Sequence, residues 1–142
     1  MRNKNFILTV WIFTGFCFCV TISADAQTKT LTAEDYFRRA TELRKQKDLG
    51  GAIANYSKAL ELNPNFTDAY ADRCGAYLEE LKTEAAIADC DKAIQLNPKM
   101  WTAYYNRGMI FFSGRPIIRP SISVAFQDFS TVISLKNDHS EA

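Results

Sequence analysis

At 142 residues the chain has room for one domain and an appendage, and 47% hydrophobic with 23% charged residues suits a globular fold, not disorder. Lys and Arg number 17 against 16 Asp and Glu, so the chain has almost no net charge and no nucleic-acid ligand is expected. One histidine and four cysteines leave little material for catalysis or metal binding.

The appendage comes first. Arg2 and Lys4 precede a charge-free apolar run over residues 6–22, followed by Ser23-Ala24-Asp25-Ala26. A basic start, an apolar stretch and an Ala-x-Ala site predict an export signal over residues 1–26, cleaved to leave Gln27. The alternative is an uncleaved anchor, since the run is at the short limit for crossing a bilayer. Phe16 and Phe18 stand where a lipid-attachment motif needs a small residue before Cys17 or Cys19. Either way the remainder is placed outside the cytoplasm, periplasmic or secreted, and it meets a membrane only if the run is retained. Cleavage removes Arg2, Lys4 and Asp25 and leaves the rest formally neutral.

After a polar lead-in over residues 27–32, Thr32-x-x-Asp35 offers an N-cap to a first helix in which Tyr36, Ala40 and Leu43 share a face. Gly50-Gly51 is read as the break before a second helix over residues 52–62, which Asn63-Pro64 stops. The stretch 52–64 then returns at 86–98, identical at eight of thirteen positions and displaced by 34 residues. A fixed period of that length marks a helical repeat array. The second unit carries Tyr70, Cys74 and Tyr77, then Ala86, Ile87, Cys90, Ala93 and Ile94, closed by Asn97-Pro98. The third opens at Trp101, carries Tyr104, Gly108 and Phe111, and resumes over residues 125–135 after five extra residues. The insertion lies near residues 113–123, where Pro116 and Pro120 forbid a continuous helix.

The spacing Tyr36/Ala40/Leu43 with Ala52/Tyr56/Ala59/Pro64, repeated twice in register, resembles the tetratricopeptide repeat. The copies depart from that pattern at Cys90, in an aromatic slot, and at Asn137, where a proline is expected. The resemblance covers residues 33–137, as repeats 33–66, 67–100 and 101–138, with residues 138–142 as a tail. It implies an all-α, right-handed superhelical solenoid of three antiparallel helix pairs that binds a protein or peptide partner in a concave groove lined by the first helix of each pair.

The groove positions implied by that family are Phe37, Arg38, Thr41 and Arg44 in the first repeat, Asp72 in the second, and Tyr105, Asn106, Met109 and Phe112 in the third. Arg38 and Arg44 would steer an acidic ligand, and Tyr105 with Phe112 would anchor it. A carboxylate clamp known in the family needs Lys, Asn or Arg where this chain has Phe37, Thr41, Asp72, Thr102 and Asn106, so that ligand is not expected. The rival recognition element is the insertion, with Ile117 and Ile118 among its prolines.

No enzyme, cofactor or metal site is expected. His139 stands near the C-terminus without a preorganised neighbour, and Glu79, Glu80, Asp89 and Asp91 fall on positions expected to face water. Cys74 and Cys90 either form a disulfide or act as buried apolar fillers. With seven residues after Leu135, the last helix is expected to expose Phe129, Ile133 and Leu135 and to support a weak homodimer. The alternative function is a structural, self-assembling or membrane-anchored component of an envelope complex.

Overall fold

The computed structural model describes residues 30–113 and 122–138. The expected signal, most of the insertion with Ile117 and Ile118, and His139 lie outside the described residues. Six helices follow in order: α1 (Ala33–Lys45), α2 (Leu49–Leu62), α3 (Thr67–Glu79), α4 (Thr83–Leu96), α5 (Trp101–Phe112) and α6 (Ile122–Asp138). They pack as three antiparallel pairs stacked into a superhelix. The pairs begin at residues 33, 67 and 101, and the second helices at 49, 83 and 122, so the five-residue insertion falls between α5 and α6. Among the described residues, no helix is long and apolar enough to cross a membrane.

Local chemistry sets each boundary. The Thr32 hydroxyl accepts from the Asp35 N–H at 3.2 Å, and the Asp35 carboxylate accepts from the Thr32 N–H at 3.1 Å, so two orphan donors are satisfied at once. Glu34 and Asp35 at the first turn, and Arg44 and Lys45 at the last, oppose the helix dipole. At the far end of α2 the Asn63 side chain accepts from the Asn65 N–H at 3.1 Å, and Asn97 repeats this for Lys99 at 2.9 Å. Asn137, in the slot of the missing third proline, lies within α6.

The reading of Gly50-Gly51 as the break is corrected. Both glycines lie in the first turn of α2, where the Gly51 N–H donates to the Asp48 cap at 2.9 Å. The left-handed residues that turn the chain are Lys47 (φ 67°) and its counterpart Leu81 (φ 65°). Their strain, about 1–2 kcal/mol each, is offset by bonds that satisfy the ends of α1 and α3. Asp48 N–H donates to Leu43 C=O and Lys82 N–H to Tyr77 C=O, both at 2.9 Å.

Inside each pair a small residue on the first helix faces a filler on the second. Ala40 packs with Tyr56, and Gly108 lies so close to the Phe129 ring that an added Cβ would sit 2.9 Å from it. Phe129 is therefore half-buried inside its own pair, which corrects the expectation that it forms an exposed edge. In the second pair a Cys74–Cys90 disulfide takes the place of the ring, with Cα atoms 5.5 Å apart.

Asp89 is also a correction: it is buried, not water-facing. Its carboxylate accepts both ends of the Arg73 guanidinium, at 2.7 and 2.8 Å. One period later Asp128 receives Arg107 in the same two-pronged way, at 3.0 and 2.7 Å. The third nitrogen of each arginine reaches back to the preceding pair: Arg73 to the Ser57 hydroxyl at 2.9 Å, Arg107 to Asp91 at 2.6 Å. Each guanidinium thus closes one helix pair and fastens it to the one before.

Asp89→Ala leaves the partly buried Arg73 guanidinium with only the Ser57 hydroxyl as hydrogen-bond partner, and breaking a buried pair costs up to about 3–5 kcal/mol. Asp91 is exposed, so Asp91→Ala should cost about 1 kcal/mol or less. Urea titrations of the two variants check this, and equal midpoints would contradict the ranking.

Candidate functional site

The first helices of the three pairs line up side by side. Arg44 on α1 reaches Glu79 on α3, and the Asn106 amide on α5 donates to the Ala71 carbonyl on α3 at 3.2 Å. These contacts form a continuous surface on one side of the stack, and the sequence-predicted groove residues are distributed along it.

At the α1 end the surface is aromatic but filled. Phe37 is half-buried, its ring 5.7 Å from Tyr56 and 4.9 Å from Phe66. The Tyr56 hydroxyl rises between the helices, 3.3 Å from the Thr41 hydroxyl and 3.5 Å from the Asp72 carboxylate. Burial pushes the Tyr56 phenol above its ordinary value, so it stays protonated and able to donate.

The middle is polar and closed by Arg44. That guanidinium lies directly over Gly75, where an added Cβ would come within 2.6 Å of it. It meets Glu79 at 2.9 Å and Asp72 at 3.8 Å, and Lys47 also meets Glu79 at 3.1 Å. Arg44 is therefore engaged by its own chain and not extended toward a ligand, a correction to its expected steering role. Arg38 is exposed and paired with Asp35. Burial raises the Asp72 carboxyl above the ordinary range; Arg44 opposes this and Asp68 adds to it. Burial would raise Glu79 too, but the Arg44 and Lys47 hydrogen bonds carry it lower.

The α5 end is open. Tyr105 and Phe112 are both exposed, Met109 between them is half-buried, and the two outer rings lie 6.2 and 6.4 Å from Phe129. Among the described residues of this surface, large apolar side chains with exposed faces gather here. The disulfide beneath the middle sends no ring into the surface, whereas Tyr56 and Phe129 do so at either end. Among the described residues no cluster of acidic, histidine or cysteine side chains could hold a metal ion.

This arrangement has close parallels. The tetratricopeptide repeat profile matches residues 33–66. The second tetratricopeptide domain of Spaghetti (RPAP3), solved with the HSP90 peptide SRMEEVD, is 30% identical over 78% of this chain and 97% of that one, with a TM-score of 0.66. The chain belongs to the tetratricopeptide repeat family. The Arabidopsis OM64 domain of that family is 27% identical over 74% of this chain and 83% of that one, at a TM-score of 0.68. The first RPAP3 domain, bound to the same peptide, is 25% identical over 75% and 80%, at 0.67. No curated protein sequence matches the chain.

Within this tetratricopeptide array, the sequence reading missed the arginines that position the groove. Arg39, Arg73 and Arg107 recur every 34 residues, and Asp89 recurs as Asp128 at 34 plus the five inserted residues. That double period was the available signal.

Asp72 yields a pH-dependent expectation. A carboxyl raised in the folded state makes its ionised form unfavourable there, an effect that is complete above the raised value and absent below the ordinary carboxylate range. Asp72→Asn should thus raise the melting temperature at neutral pH, and the gain should shrink as the pH falls into that range. A loss of stability at neutral pH would show instead that the Arg44 attraction outweighs burial.

Proposed function

We propose that the chain is an exported protein-interaction module that holds an extended segment or helix of another protein against its concave face. The observation that carries this reading is the exposed pair Tyr105 and Phe112, set on a rigid helix and backed by Phe129. Rigid aromatic side chains combine apolar area with few rotatable bonds, and interface energy concentrates in such anchors. Met109 between them is soft and polarizable, which suits contact with an irregular apolar partner. Export is supported by the basic start, apolar run and Ala-x-Ala site over residues 1–26.

The partner differs from the peptide bound by the RPAP3 domains. The clamp positions hold Phe37, Thr41, Asp72, Thr102 and Asn106, none of them a cation, and the Asp72 carboxylate would repel a C-terminal carboxylate. The middle of the surface is crossed by an internal ion pair, so the ligand gains its affinity at the α5 end.

A random peptide library panned against the mature chain tests the reading. Recovered peptides should bind the Tyr105→Ala/Phe112→Ala variant more weakly by about 2 kcal/mol or more, with its helicity intact. If their affinity survives that change and is lost in Ile117→Ala/Ile118→Ala, the proline-rich insertion carries recognition and the concave face does not.

A further inference from the structure

The outer face of α6 is a second surface, distinct from the concave face. On α6, Ile122, Phe126 and Ile133 are 78%, 73% and 61% exposed. Allowing for the insertion, these positions correspond to Leu49, Ile53 and Leu60 on α2 and to Thr83, Ile87 and Ile94 on α4. At the last of these positions the next pair covers the side chain: Leu60 is 7% exposed and packs in one cluster with Ala69 and Ala76 of α3. Ile94 packs likewise with Ala103 and Ile110 of α5. The chain therefore displays, twice, what covers this face.

Ser130 sharpens the match. Its hydroxyl donates to the Phe126 carbonyl at 2.8 Å, as the Ser57 hydroxyl donates to the Ile53 carbonyl at 2.8 Å. Held that way, Ser57 accepts the Arg73 guanidinium of the following pair, and Asp91 in the same position accepts Arg107. Ser130 is exposed and oriented for the same acceptance.

We propose that the α6 face docks an amphipathic helix of another protein, bearing a small residue, an arginine four residues on and a small or aliphatic residue three further. That is the pattern Ala69/Arg73/Ala76 and Ala103/Arg107/Ile110. A second copy stacked head to tail does not fit. Its α1 carries Arg39 in register, but Asp35 and Glu42 occupy the positions of the two small residues, and the contact would bury the exposed Glu42 carboxylate without a partner from α6. Two α6 helices facing each other supply no guanidinium, since α6 contains no arginine.

The test appends a second copy of residues 66–98 to the full chain through a flexible glycine-serine linker, which holds it near α6 at millimolar effective concentration. The fusion should melt several degrees above the parent chain. Ile133→Glu, or Arg73→Ala in the appended copy alone, should each remove that gain; Ile133→Glu should leave the unfused chain's melting temperature unchanged. No gain, or a gain that survives Ile133→Glu, overturns the proposal. Sedimentation of the unfused chain should show a monomer, and a dimer abolished by Ile133→Glu would make a second copy the occupant and overturn it too.

Discussion

Two guanidinium–carboxylate pairs with buried carboxylates, Arg73–Asp89 and Arg107–Asp128, fix the geometry of the stack. Buried charges are tolerated only when fully paired, and here the fork of each arginine matches one carboxylate and leaves one nitrogen for the preceding helix pair. Burial would lower the Arg73 pKa, but the Asp89 hydrogen bond and charge carry it upward instead. Tyr70 and Tyr77 flank that guanidinium at 5.7 and 5.6 Å, and Tyr104 flanks Arg107 at 5.7 Å. One side chain thus sets both the closure of a pair and its angle to its neighbour, and the line of α1, α3 and α5 follows from it.

The ends of the stack differ for the same reason. The first pair has Arg39 in register but Asn55 where the others have Asp89 and Asp128, and its outer face carries Asp35 and Glu42. That face is polar and suits water. The outer face of α6 keeps the apolar pattern of the inner interfaces. Along the concave side the sequence also changes character, from filled rings at α1, through an ion pair lying over Gly75, to free aromatic faces at α5. The groove is one surface geometrically and three chemically.

Much of this was legible. The 34-residue period identified the architecture, Asn-Pro marked the ends of α2 and α4, and the small residues at 40, 74 and 108 marked where helices approach closely. The turns were misread because Gly50 and Gly51 are the obvious candidates for left-handed backbone. The hydrogen-bonding pattern at a helix C-terminus imposes that conformation by position, and Lys47 and Leu81 accept it. Asp89 was placed in water because an isolated aspartate on a helix is usually solvated. Its partner lies 16 residues away on another helix, a contact that becomes visible only once the pair has folded. Arg44 was misjudged likewise: its carboxylates come from α3, and its position depends on the missing side chain of Gly75.

The binding surface we propose lies where α1, α3 and α5 line up, with most of the affinity gained at the α5 end. Hydrogen exchange of residues 27–142, alone and saturated with a peptide recovered by panning, probes that surface. Slowed exchange is expected in α5, weaker slowing in α1 and α3, and little change in α2 and α4. Protection confined to the segment between α5 and α6, or to the second helices, would contradict it.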